Sequence, residues 1–130
     1  MSPPLFSGRV RDLFWVRGAL ETTEAGICLD TGHAQLSGDL RTVAHKLSGH
    51  LWMMHATDNH GKGDDHLPPG EGRIDWPRLL RQMVRIGFHG AIILQVAGQA
   101  DQHATLDGAR RARRFLRDLS QRVNGLHSPQ

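Results

Sequence analysis

GHLWMMHATDNHGKGDDHLPPGEGRID, residues 49–75, is the stretch on which the reading of this chain turns. A short apolar run, Leu51-Trp52-Met53-Met54, ends at His55. The polar segment that follows holds Asp58, His60, Asp64, Asp65, His66 and Glu71, side chains that can ligate a divalent metal or move a proton. Glycines at 61, 63, 70 and 72 and the pair Pro68-Pro69 break regular structure there. A buried strand that delivers a histidine and an acid-rich loop is how α/β folds build sites at the C-terminal ends of their strands.

Upstream, Gly26 to Leu29 is a short apolar run that ends at Asp30, consistent with a second buried strand. Thr31-Gly32-His33 leaves it as a loop. Asp39 is a candidate N-cap for a helix with Leu40, Val43, Ala44 and Leu47 on one side, stopped by Gly49. Arg9 to Leu20 forms another helix, with Val10, Leu13, Phe14 and Leu20 inward. Downstream, Asp75 caps a helix carrying Trp76, Leu79, Leu80, Met83 and Ile86, with Pro77 in its first turn and Gly87 as its stop. Gly90 to Val96 is the third strand and residues 97–104 are a loop. Thr105 to Val123 is the last helix, with Ala109, Ala112, Leu116, Leu119 and Val123 along one side.

Strands alternating with amphipathic helices imply parallel βα units. Three strands make a very small parallel sheet, and such sheets normally have both faces covered. The chain therefore reads as a piece of a larger α/β structure. Residues 1–130 form a single partial domain with its core at about 10–123, and 1–8 and 124–130 are expected to be flexible.

With 38% apolar residues in 130, the chain can build one modest core. A net charge of +3 does not by itself argue for nucleic acid, and much of the basic excess lies between Arg110 and Arg122. The nine histidines are the unusual feature. A single cysteine, Cys28, excludes an internal disulfide, fits a reducing compartment and is most simply a small core residue. Met1-Ser2-Pro3-Pro4 lacks the basic region and apolar core of a signal peptide. No apolar run approaches the roughly 20 residues that span a bilayer. The expectation is a cytoplasmic protein without a membrane partner.

In parallel units the strand ends point one way, so the groups found there converge. Asp30 and His33 follow the first strand, and His55 ends the second with Asp58 just beyond. Asp64 and His66 form a D-x-H pair in the next loop, and Gln95 lies near the end of the third strand. Carboxylates with imidazoles suit Mn²⁺, Mg²⁺, Co²⁺ or Zn²⁺. A lone histidine at a strand end is more often hydrogen-bonded structure than ligand. Grouped with Asp30, Asp64 and His66, His55 becomes a ligand candidate. His45, His50, His60, His89, His103 and His127 have no such placement and are taken as surface or loop residues. Gly70-Glu71-Gly72 reads as a turn with a solvated acid, and Asp75 as a cap. The arginines of the last helix read as its solvated face, with a phosphate-binding role as the alternative.

Taken in order, Gly26-Ile-Cys-Leu-Asp-Thr-Gly-His33, His55-Ala-Thr-Asp58, Asp64-Asp-His-Leu-Pro-Pro-Gly-Glu-Gly72, Ile74-Asp-Trp76 and Ile86-Gly-Phe-His-Gly90 resemble the xylose isomerase-like TIM-barrel superfamily. Sugar-phosphate isomerases and epimerases are the nearest match, and endonuclease IV is a relative. The resemblance covers about residues 10–120. It implies an α/β fold, the C-terminal three βα units of a TIM (β/α)8 barrel, incomplete in this chain. It also implies a divalent metal held by the positions of Asp30 and His55, with Asp64 and His66 as further candidates. His33 and His66 are implied substrate contacts; in the endonuclease branch His33, Asp64 and His66 match metal ligands.

The implied reaction interconverts aldose and ketose, or epimers, of a sugar or sugar phosphate by proton transfer through a metal-bound enediolate. Where the family has a catalytic glutamate at the end of the last strand, this chain has Gln95, which cannot act as a general base. The second family glutamate comes from an earlier strand than the three present here. The expectation is therefore an isomerase or epimerase fragment or inactive divergent copy. An endonuclease IV-like phosphodiesterase and a non-catalytic metal-binding or assembly module are the alternatives. Nucleic acid is not the expected partner. A sheet cut from a barrel exposes two edges, so self-association is expected.

Overall fold

Parallel pairing of Ile27–Asp30 (β1), Leu51–Ala56 (β2) and Ala91–Leu94 (β3) builds one sheet in the order β1-β2-β3. The computed structural model describes residues 10–20 and 25–125. Among these, five helices accompany the strands: Val10–Ala19 (α1), Thr31–Leu36 (α2), Leu40–Lys46 (α3), Trp76–Arg85 (α4) and Gln102–Gly125 (α5). Each strand leads into helix, the βα order the hydrophobic pattern predicts.

One sheet face is the core. Leu29, Met54 and Ala56 are buried against Ala44 and Leu47 of the α3 segment, Trp76, Leu79 and Met83 of α4, and Leu116 and Val123 of α5. Period-2 alternation sends the neighbouring side chains the other way. Cys28, Asp30, Met53, His55, Ala91 and Ile93 occupy that opposite face, and none of them is buried. Ile93 is 42% exposed there.

Caps fix the helix starts. Asp39 accepts from Arg41 N, and Thr42 Oγ1 donates to Asp39 at 2.7 Å. The Thr42 hydroxyl holds the Asp39 carboxyl below its usual range; desolvation opposes it, and the Arg41 and Thr42 backbone and the Arg41 charge assist it. Asp75 accepts from Arg78 N, as a cap should.

Several expectations need correction. Thr31-Gly32-His33 is not a loop but the first turn of α2, because the Asp30 carboxylate accepts from His33 N and caps it. The last helix starts at Gln102 and runs to Gly125, so residues 124 and 125 are not tail. Cys28 is exposed, not core, because it sits on the open sheet face. Leu20 is 47% exposed, whereas Phe14 packs against the core and stacks edge-on with His50. The Val10 and Leu13 side chains, His127 and the expected flexibility of residues 1–8 and 126–130 lie outside what is described.

Among the described residues, both sheet edges and one sheet face are uncovered, which makes a prediction. The 130-residue chain is expected to self-associate, with light scattering giving an average mass that rises with concentration. A monodisperse, cooperatively melting monomer would contradict this.

Candidate functional site

The C-terminal strand ends meet in register. Asp30 pairs with His55, and His55 pairs with Ile93. Register partners in a sheet share a face, so Asp30 and His55 are neighbours on the open face, with the Asp30 carboxylate also turned to the start of α2. Gln95 lies two residues beyond Ile93, and its N–H donates to Ala56 O at 3.1 Å. The ladder thus continues past β3, and alternation returns Gln95 to the face of Asp30 and His55.

A buried threonine hydroxyl locks these ends together. Thr31 Oγ1 donates to Thr57 O at 2.7 Å and accepts from Thr57 N at 3.0 Å. Asn59, also buried, donates through Nδ2 to Gly32 O and accepts from Gly61 N through Oδ1. The sequence singled out none of these three; short polar residues next to strand ends were their only signal.

Asp58 has a different role from the metal or proton chemistry its position suggested. Its carboxylate is fully buried and carries the β2–α4 loop. Oδ1 accepts from Asn59 N and Ile74 N, and Oδ2 accepts from Gly70 N and Trp76 Nε1. Gly72 is obligatory beside it, since a Cβ there would collide with Asp58 Oδ1 and Asn59 O. A two-way backbone bridge between Asp58 and Leu67 closes the loop between them.

That closure presents the D-x-H pair. Asp64 Oδ2 lies 3.0 Å from His66 Nε2 and 3.1 Å from His33 Nε2. A carboxylate only accepts, so both Nε2 atoms are assigned as proton-bearing. His66 Nδ1 then faces Thr57 Oγ1 at 3.5 Å, the limit of a hydrogen bond. His66 also has φ of 50°, in the left-handed region that non-glycine residues seldom occupy. Its carbonyl accepts from Ala97 N, which ties this loop to the segment after β3. Strain held in place by such bonds is a feature of functional loops.

The other acids are elsewhere. Glu71 pairs with Arg111 at 3.2 Å on the surface, and Asp65 accepts weakly from His60 N. Cys28 lies beside the strand ends; desolvation raises its thiol above the ordinary range, the His55 backbone opposes this and the Asp30 charge adds to it.

Two groupings therefore result: Asp30 with His55, and His33 with Asp64 and His66. Asp30 and His33 are joined through the α2 cap. Among the described residues, no three of these donors already enclose a metal position. The donor chemistry nevertheless fits a first-row divalent ion, with imidazole nitrogens and carboxylate oxygens partly accessible.

Parallel βα units with polar groups gathered at the strand ends define a partial TIM barrel. The chain belongs to the xylose isomerase-like TIM barrel family, whose model matches residues 6–119. A D-tagatose 3-epimerase-like protein superimposes with a TM-score of 0.77 at 26% identity, covering 91% of this chain and 43% of that one. An L-ribulose 3-epimerase gives 0.70 at 14% identity, covering 92% and 45%. D-psicose 3-epimerase from Clostridium cellulolyticum H10 gives 0.67 at 17% identity, covering 85% and 43%. The protein MJ1311 of Methanocaldococcus jannaschii is 33% identical over 79 residues, 58% of this chain and 27% of that protein. The chain thus spans less than half the length of these structures and about a quarter of that relative.

Proposed function

We propose that this chain carries part of the metal and sugar site of a sugar or sugar-phosphate isomerase or epimerase. The observation that carries the reading is the register pairing of Asp30 with His55 at the C-terminal strand ends, on the open sheet face. The similarity to a D-tagatose 3-epimerase-like protein supports the substrate class, a ketose.

Asp30 and His55 would hold the divalent ion, Mn²⁺, Mg²⁺, Co²⁺ or Zn²⁺, with Asp64 and His66 as further donors. When bound, the ion polarises a sugar oxygen and lowers the cost of removing the neighbouring proton. The protein's own groups orient the sugar. His33 and His66 are positioned by Asp64 to exchange hydrogen bonds with hydroxyls. Gln95 can donate a hydrogen bond through its amide, and it cannot take the α-proton. A carboxylate has to come from outside these three βα units for turnover.

Gln95 favours a second reading, a binding module without turnover. Among the described residues, the union of His33, Asp64 and His66 favours an abasic-site phosphodiesterase, and cleavage of an abasic duplex would establish it. Among the described residues, no helix is long and apolar enough to cross a membrane. We place the protein in the cytoplasm on its single cysteine.

Saturation-transfer NMR with D-tagatose, with and without Zn²⁺, tests the reading. Transfer to the sugar only when Zn²⁺ is present is expected. Equal transfer without metal, or none in either case, counts against it.

A further inference from the structure

Away from the strand ends, helices α3 and α4 flank a groove with a cavity of about 630 Å³, the size of a small-molecule site. On α4, Arg78, Arg81 and Arg85 recur at spacings of three and four and so share one face. Arg41 joins them from α3. Among the described residues, no carboxylate forms an ion pair with any of these four arginines. Asp39 is the carboxylate in the wall, and it is already engaged by Arg41 N and the Thr42 hydroxyl. Four guanidiniums against one occupied carboxylate leave the groove strongly positive.

A second observation points to a ligand. Gln82 also lines the groove, and its Nε2 donates to Arg41 O at 2.8 Å, joining the two helices. A carbonyl only accepts, so this bond fixes which way the amide faces. Gln82 Oε1 is left buried with no hydrogen-bond partner. An unmet buried acceptor is costly, and because this oxygen is covered, a donor in the groove reaches it only when the Gln82 side chain turns outward. A ligand hydroxyl, or a guanidinium drawn inward by an anion, is such a donor.

We propose that the α3–α4 groove binds a small phosphate- and hydroxyl-bearing molecule, with Arg41, Arg78, Arg81 and Arg85 holding the phosphate. Guanidinium forks match phosphate oxygens two bonds at a time. Neither Asp30, His55 nor the Asp64 cluster lines this cavity, so it is separate from the sugar site. It would persist whether or not the sugar reading holds.

Titration calorimetry of the full chain with glycerol 3-phosphate at low ionic strength is the test. The double variant R81Q/R85Q is compared with R113Q/R114Q, which removes equal charge from the exposed face of α5. Loss of affinity by about tenfold or more is expected in the first, and less than about twofold in the second. No binding by the unmodified chain, or equal losses in both doubles, overturns the proposal. So does a thymidine oligonucleotide that displaces the ligand and is weakened equally by both doubles, since that marks a diffuse polyanion surface. If R81Q/R85Q fails to fold, Arg41→Gln on the other helix carries the same comparison.

Discussion

Replacing Asp58 with alanine is expected to lower the unfolding free energy by about 3–5 kcal/mol. The carboxylate is fully buried and receives Asn59 N, Gly70 N, Ile74 N and Trp76 Nε1. Truncation leaves four donors facing a void. Each unmet buried donor costs about 1–3 kcal/mol, and relaxation of the loop or entry of water keeps the sum below full additivity. Asp58→Asn should not rescue it. Each carboxylate oxygen takes two donors, so whichever position receives the NH₂ meets two N–H groups. Trp76→Phe removes one donor and should cost less than either, although it also removes buried indole area. Urea unfolding at fixed chain concentration measures all three. A shift below about 1 kcal/mol for Asp58→Ala would mean that water replaces the carboxylate and that the loop does not depend on it.

Turnover by the chain as it stands is expected to be undetectable, and Gln95 is one identifiable cause. General-base catalysis typically contributes about 10²–10⁴-fold, and a carboxamide cannot supply it. Gln95 sits just past the end of β3 on the face of Asp30 and His55, so Gln95→Glu would place an anionic oxygen toward the same site. Mn²⁺ affinity should rise by about tenfold or more, on the scale by which ligand-sphere changes act. Solvent deuterium should enter the α-position of a ketose only when Gln95→Glu is combined with a second polypeptide supplying the remaining βα units. Deuterium incorporation followed by NMR measures the second effect, and calorimetry the first. Unchanged Mn²⁺ affinity in Gln95→Glu would show that position 95 does not face the site.

The parallel order was legible because three apolar runs alternate with helices of clear 3.6-residue period, such as Trp76, Leu79, Leu80 and Met83, all buried. Strand-end placement of Asp30 and His55 followed directly. Helix α2 was not legible, because Thr31-Gly32-His33 has poor helix propensity. What makes it helical is the Asp30 cap and the bond from Asn59, 27 residues away. Asp58 carried the chemistry-bearing type at the expected place, yet its partners at Gly70, Ile74 and Trp76 turn it into the anchor of the loop. Asp64 with His66 was visible as a spacing, whereas the contact of His33 with the same oxygen depends on how the loop folds back. Cys28 was misplaced because a four-residue apolar run does not say which of its two faces will be covered.

We propose that Asp30 and His55 form one metal-binding site at the strand ends. Mn²⁺ titration calorimetry on the unmodified chain and on His55→Ala tests it most directly. His55 is partly exposed, so the substitution should leave the fold intact, as circular dichroism can verify. The expected result is measurable Mn²⁺ binding by the unmodified chain that falls by about tenfold or more in His55→Ala. Equal affinity in the two chains would remove His55 from the metal site.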